Sequence, residues 1–360
     1  MIVFENVSKR FPDGTLGVDG LSFTAPSGRI TVLVGPCGCG KTSSLRMINR
    51  LTDPTDGRVL VGDEDVMGLD RVRLRRRIGY VIQSSGLFPH RTAIGNVTAL
   101  PMMLGQSRSQ ARERALELLE LVGLDASYAK RYPWQLSGGQ QQRVGVARAL
   151  STDPPFMLMD EPFSAVDPIV RAQLQQEFLR LQAEVGKTIV MVTHDIEEAL
   201  TLGDQIVMLR KGGTLAQAGT PEELLRHPAD EFVADFVGRA RGYGSLAFID
   251  DLPLAIEQPP LVRLGSSPTD ADARWHVAVD DRDAPVGWWR TGGPTPARRE
   301  DVEHATIITD ASGTLREILD AALSSPNGQG ILTNDDGTLR GVVSLEEVTR
   351  AIRSTKEPEQ

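Results

Sequence analysis

Ile30-Thr31-Val32-Leu33-Val34-Gly35-Pro36-Cys37-Gly38-Cys39-Gly40-Lys41-Thr42 is the stretch that decides the fold. Its first five residues are a short, β-branched apolar run, the pattern of a strand buried on both faces. Ser43-Ser44-Leu45-Arg46-Met47-Ile48 then continues as a helix. Strand, glycine-rich loop and helix form the context that a phosphate-binding loop requires. Gly35, Gly38 and Gly40 let the backbone curl so that its N–H groups, with the helix N-terminus, face phosphates. Lys41 offers a point charge to the β- and γ-phosphates, and Thr42 offers a hydroxyl to Mg²⁺. Pro36, Cys37, Cys39 and Ser43 complete the set expected against the nucleotide. An α/β nucleotide-binding domain follows from this run alone.

Phe156-Met157-Leu158-Met159 is a second apolar strand, with Asp160 at the carboxyl end where open α/β sheets place ligands. Successive strand residues point to opposite sides. Asp160 is therefore expected to hold Mg²⁺ through water while Glu161 faces an attacking water as general base. Thr188-Ile189-Val190-Met191-Val192-Thr193 is a third such strand and delivers His194 to the same edge. Leu136-Ser137-Gly138-Gly139-Gln140 precedes a helical run beginning at Gln141. Ser137 with Gln140 makes a capping box, and Gly138 and Gly139 leave that helix start bare as an anion site.

Taken together, these motifs resemble the ATP-binding cassette (ABC) family, the ATPases that power membrane transporters, over about residues 1–240. The resemblance implies a RecA-like core with a helical subdomain at about 88–152. It makes His194 the γ-phosphate sensor and Gln83, after Gly79-Tyr80-Val81-Ile82, the glutamine that reaches metal and water and reports to a permease. Ser137, Gly138, Gly139 and Gln140 would serve the γ-phosphate held by an opposite subunit, so a homodimer should sandwich two ATP molecules. Ser164-Ala165-Val166-Asp167 resembles the loop that crosses this dimer. Cys37 stands where serine is commoner. Phe11 aligns with the adenine-stacking aromatic, although a core phenylalanine fits that position as well. Leu87-Phe88-Pro89 would line the groove for a permease helix.

The chain has 360 residues, more than one core usually supports, so two domains are expected. No apolar stretch approaches the roughly 18 residues that span a bilayer. The N-terminus lacks the features of a secretory signal. A cytosolic chain peripheral to the membrane, bound to two permease subunits that work with an extracytoplasmic binding protein, is the expectation. Both cysteines lie in the phosphate loop, which excludes a disulfide framework. Residues 241–360 carry 12 Lys+Arg against 20 Asp+Glu, so −8 of the chain's net −9 sits there. That balance argues against nucleic-acid binding by that region and against simple docking on anionic lipid. The one basic cluster, Arg71, Arg73, Arg75, Arg76 and Arg77, reads as a solvated helix face, with a lipid or partner contact as the alternative.

After a linker at 241–247, residues 248–360 contain two segments that match at an offset of 54. Val277-Ala278-Val279-Asp280-Asp281 with Gly287-Trp288-Trp289 lies over Ile331-Leu332-Thr333-Asn334-Asp335 with Gly341-Val342-Val343. Each reads as strand, acidic turn, strand. Helices expected at 315–323 and 345–352 complete a β-α-β-β-α unit in the second copy, about 302–355. This resembles a cystathionine-β-synthase (CBS) motif, a small α+β module that works in tandem and often binds adenine nucleotides. The first copy is degenerate, because Pro253, Pro259, Pro260 and Pro268 oppose a helix before it. Glu347, three residues after Ser344, stands where that motif favours aspartate for a ribose, and the two residues also form a capping box. A CBS pair behind a cassette resembles the importers of osmoprotectants: glycine betaine, carnitine, choline or proline. Another small solute is the alternative. Neither coiled-coil insertions nor a second cassette is present, which sets aside cassette proteins acting on DNA or ribosomes.

Overall fold

Three continuous apolar runs noted above lie side by side as the centre of one sheet. The computed structural model describes residues 1–83, 86–164, 168–249, 254–268, 270, 272–309 and 313–354. Ala165, Val166 and Asp167 of the expected dimer-crossing loop, and Pro253, lie outside the described residues. The chain divides into two units, Met1–Gly238 and Arg239–Gln360.

The first unit begins with β1 (Ile2–Arg10), β2 (Leu16–Ala25), β3 (Ile30–Val34), α1 (Lys41–Ile48), β4 (Asp56–Val61), β5 (Glu64–Asp65), α2 (Arg71–Arg76) and β6 (Ile78–Val81). Then come α3 (Ala93–Val97), α4 (Ala99–Met103), α5 (Arg108–Leu121) and α6 (Gly138–Leu150). It closes with β7 (Phe156–Asp160), α7 (Pro168–Val185), β8 (Thr188–Val192), α8 (Ile196–Leu202), β9 (Gln205–Leu209), β10 (Leu215–Gly219), α9 (Pro221–Arg226) and α10 (Glu231–Gly244). The six-stranded sheet has the order β10-β9-β3-β8-β7-β6. Only β10 is antiparallel to its neighbour. Every residue of β3, β7 and β8 is buried, as parallel strands covered on both faces should be. A second sheet, β2-β1-β4-β5, is antiparallel, and its Phe4 and Phe23 stack at 4.6 Å over the shared core.

Between 88 and 152 every regular element is helical. On α5 the buried residues are Ala111, Ala115, Leu118 and Leu119, one stripe at helical spacing. The basic cluster lies on a solvated face as its sequence suggests, with Arg71, Arg73, Arg75 and Arg76 exposed and Arg77 half-buried, yet three of its members are paired. Arg71 pairs with Asp53 at 2.6 Å, Arg75 donates to the carbonyls of Asn49 and Arg50, and Arg77 pairs with Glu64. Arg71 and Arg75 thus tie α2 to the turn that follows α1, and Arg77 reaches β5. The segment expected as a linker is helical too: α10 runs to Gly244 and a 3₁₀ turn follows at Ser245–Phe248.

The second unit contains β11 (Leu261–Arg263), β12 (Trp275–Val279), β13 (Pro285–Arg290), β14 (Ile307–Thr309), α11 (Leu315–Ser324), β15 (Gln329–Thr333), β16 (Leu339–Ser344) and α12 (Leu345–Ser354). Two three-stranded sheets result, β11-β12-β13 and β14-β15-β16, each a parallel pair followed by a hairpin. The hairpins carry register shifts at equivalent places, Ala278/Val279 and Leu332/Thr333. The segment between β14 and β15 holds α11, whereas the shorter one between β11 and β12 holds no helix among the described residues.

Each sheet also receives one residue from the segment preceding the other. Glu303 bridges Trp288, and Glu257 bridges Val342, through reciprocal backbone bonds of 2.7–2.9 Å. Gly287 and Gly341, 54 residues apart, make room for these bridges. A Cβ would lie 2.3 Å from the Glu303 carbonyl oxygen at the first and 2.7 Å from that of Glu257 at the second. The two hairpins are thus related by position, by bulge and by bridge.

Candidate functional site

β3 delivers the phosphate loop to the carboxyl edge of the parallel sheet, and α1 starts at its last glycine. Lys41 is buried, and its Nζ donates to the carbonyls of Gly35 at 2.7 Å and Pro36 at 3.1 Å. The ammonium group is therefore held over the loop it belongs to. Gly38 and Gly40 both have positive φ. A Cβ on Gly40 would sit 2.2 Å from the Gly17 carbonyl oxygen, and the Phe11 ring covers Gly17 in turn. Phe11 is half-buried, with Lys9 Nζ 5.7 Å from its centroid. Its ring stands beside the phosphate loop, not within the main core. Cys37 is exposed and Cys39 buried; burial pushes the Cys39 thiol up, with Lys41 opposing. Pro36 and Ser43 are half-buried on either side of the loop.

The second group of residues comes from the ends of β7 and β8. Asp160 is 6% exposed, and its Oδ1 accepts a hydrogen bond from Thr42 Oγ1 at 3.1 Å. Burial raises the Asp160 pKa, and the Thr42 hydrogen bond and Arg46, whose Nη2 lies 4.0 Å from Oδ2, work against that rise. Glu161 leaves the sheet in a left-handed conformation, φ 47°, while its N–H still bonds the Val192 carbonyl at 3.0 Å. A non-glycine residue in that region stores strain that the surrounding structure must hold. Glu161 Oε2 accepts from Gln83 Nε2 at 2.9 Å and lies 3.2 Å from His194 Nδ1. Gln83, Glu161 and His194, distant in sequence, therefore meet at one carboxylate oxygen.

Thr42 and Asp160 offer adjacent oxygens of the kind that suits a hard cation such as Mg²⁺. Among the described residues there is no cluster of three His, Cys, Asp or Glu side chains that would cage a metal alone. Mg²⁺ held here fits with phosphates and water as its remaining ligands.

The Leu136–Gln140 motif is built as its sequence implies. Ser137 Oγ accepts from the Gln140 N–H at 3.3 Å, and Gln140 Oε1 accepts from the Ser137 N–H at 3.0 Å. Ser137 and Gly138 are exposed, and Gly139 is buried. The adjoining cavity is lined by Gly123, Tyr128, Ser137, Gly139, Gln140 and Arg143 among others, with no phosphate-loop residue. Sequence reasoning missed Arg46 and Tyr80 around Asp160. Arg46 lies one helical turn beyond Thr42, a spacing that could have found it.

Residues 18–164 match the ABC transporter family. The chain is 40% identical to the osmoprotectant import ATP-binding protein OsmV of Salmonella typhimurium, over 98% of this chain and 97% of that protein. The chain belongs to the ATP-binding cassette family. As a member, it is an ATP-binding, ATP-hydrolysing transport subunit. It is also 51% identical to the choline transport ATP-binding protein OpuBA of Bacillus subtilis, over 67% of this chain and 63% of that protein. Among solved structures it resembles a dimeric cassette, MJ0796, in a post-hydrolysis state bound to ADP and Pi. The TM-score is 0.56 at 36% identity, covering 61% of this chain and 99% of that one. Among the described residues no helix is long and apolar enough to cross a membrane.

Proposed function

We propose that this cassette couples ATP hydrolysis to import of a quaternary amine or related osmoprotectant, with glycine betaine, choline, carnitine and proline as the class. The similarity to an osmoprotectant subunit along nearly the whole chain, C-terminal unit included, carries the reading. Similarity in the cassette alone does not discriminate cargo. The Fe(3+) ions import ATP-binding protein FbpC of Brucella abortus is 45% identical over 66% of this chain. Import of another small solute is thus the second reading.

In the proposed mechanism Lys41 and the backbone of Gly35–Gly40 hold the β- and γ-phosphates, Phe11 stacks on the adenine, and Thr42, Gln83 and, through water, Asp160 would hold Mg²⁺. The metal supplies charge neutralisation on the phosphates. Glu161 takes the proton of the attacking water. His194 and Gln83 fix that carboxylate; His194 reads the γ-phosphate, and Gln83 reaches the metal and water and reports to the permease. A second copy supplies Ser137–Gln140 to each nucleotide, forming a homodimer. It sits at the cytoplasmic face on two permease subunits fed by an extracytoplasmic binding protein, with exposed Phe88 at the permease groove.

The C-terminal unit is read as a degenerate tandem CBS-like pair. Glu347, its ribose-contacting candidate, accepts from the Ala255 N–H at 3.1 Å and from Arg350. Its own N–H bonds Ser344 Oγ at 3.2 Å. An adenine nucleotide there would have to displace these partners.

The test is deletion of the gene, with uptake of labelled glycine betaine, choline, carnitine and proline measured under osmotic stress. Reduced uptake of at least one is expected. Unchanged uptake of all four, in a strain with no redundant importer, would overturn the cargo and leave the ATPase.

A further inference from the structure

His194 is exposed, yet the residues on either side of it are firmly anchored. Thr193 is 1% exposed. Asp195 caps α8, its Oδ1 accepting from the N–H groups of Glu197 at 2.9 Å and Glu198 at 3.4 Å. One turn along, Glu198 is 7% exposed, a buried carboxylate outside the phosphate chemistry. Its Oε1 accepts from Gln175 Nε2 at 3.2 Å. Arg171 Nη1 stands 3.9 Å from Asp195 Oδ2. Arg171 and Gln175 are four residues apart on α7, so two residues of one stripe reach Asp195 and Glu198 at the start of α8. α7 is the helix that follows Glu161 in the chain, and α8 is the one that follows His194.

Burying a carboxylate is costly unless it is hydrogen-bonded. Burial pushes the Glu198 carboxyl up, and Thr193 and Gln175 pull it back. An apolar pair could fill the same space. A hydrogen-bonded pair adds a fixed distance and direction.

The geometry points to Glu198 as a positioning residue for ATP hydrolysis: clasped by Gln175, it locks α8 to α7 and so holds His194 at Glu161. This rests on the reading of Glu161 and His194 as the hydrolysis pair. In this reading Glu198 acts through His194 and not on the nucleotide itself.

The experiment uses the full chain and compares Glu198→Ala, Glu198→Gln, Gln175→Ala and the Gln175→Ala/Glu198→Ala double variant, with Glu161→Gln as reference. Steady-state hydrolysis gives kcat and KM for ATP, and thermal unfolding checks that each variant is folded. Glu198→Ala should lower kcat about tenfold with KM changed less than about twofold, the mark of an interaction outside ground-state binding. Glu198→Gln keeps an oxygen for Gln175 and should recover at least about half of kcat. The double variant should be no slower than the worse single one, because the two side chains act as one unit. Should Glu198→Ala fail to fold, Gln175→Ala carries the test, with a kcat loss of the same kind expected.

An unchanged kcat in folded Glu198→Ala or Gln175→Ala overturns the inference. So does a loss seen only in KM, a Glu198→Gln as slow as the alanine variant, or additive effects in the double variant. Near-wild-type hydrolysis by Glu161→Gln would instead overturn the underlying site assignment.

Discussion

The cassette and the C-terminal unit were both written into the sequence as patterns, but patterns of different kinds. In the cassette each signal is local: a strand, a glycine loop and a helix within the nineteen residues Ile30–Ile48, and a capping box within four. Local geometry then fixes local chemistry. In the C-terminal unit the signal is a repeat, and what makes it a unit is non-local. Glu257 and Glu303 each reach across to the other copy's sheet, and no periodicity announces that exchange. The difference teaches that chemistry can be read from motifs, whereas a degenerate repeat is understood only once its long-range pairing is seen.

Four substitutions break or sharpen this contrast. The largest effect belongs to the cassette. Glu161→Gln should cut phosphate release by about 10²–10⁴-fold, the usual loss for a general base, while equilibrium Mg-ATP binding persists. Retained hydrolysis would detach motif from chemistry.

The next belongs to the repeat. Gly341→Val forces a Cβ against the Glu257 carbonyl at a positive φ of 155°. It should destabilise the C-terminal unit by about 1–3 kcal/mol, read as a lowered unfolding midpoint, and leave kcat for ATP unchanged. Gly287→Val should behave alike, since it meets Glu303 in the same way. Different outcomes at the two glycines would undo the equivalence of the copies.

The smallest is Ser137→Ala. Loss of its cap on α6 should cost about 1 kcal/mol of stability. In a unit of this size that is about 2–4 °C in Tm, followed calorimetrically. No change in Tm would mean that the exposed serine serves only the nucleotide of a second chain.

Much of the site was legible because its residues sit at strand ends, where an apolar run followed by Asp160 or by Thr193-His194 marks the edge. The convergence of Gln83 and His194 on one oxygen of Glu161 was not, since it depends on the order β3-β8-β7-β6 and on the left-handed turn at Glu161. Arg46 and Glu198 escaped notice because charged residues on helices usually face water. Here one reaches toward Asp160 and the other is buried against Gln175. The missing helix of the first copy was foreshadowed by its prolines and by a shorter crossover. The helical course of 241–247 was not, because three glycines between 238 and 244 read as a break.

The central claim is that the hydrolysis site lies wholly within the cassette, in residues between Phe11 and His194. The most direct measurement is steady-state ATP hydrolysis by a chain ending at Gly244, beside the full chain at matched concentration. A kcat within about twofold of the full chain is expected, because the first unit keeps its own core and every site residue. Loss of hydrolysis from a truncated chain that still unfolds cooperatively would contradict it.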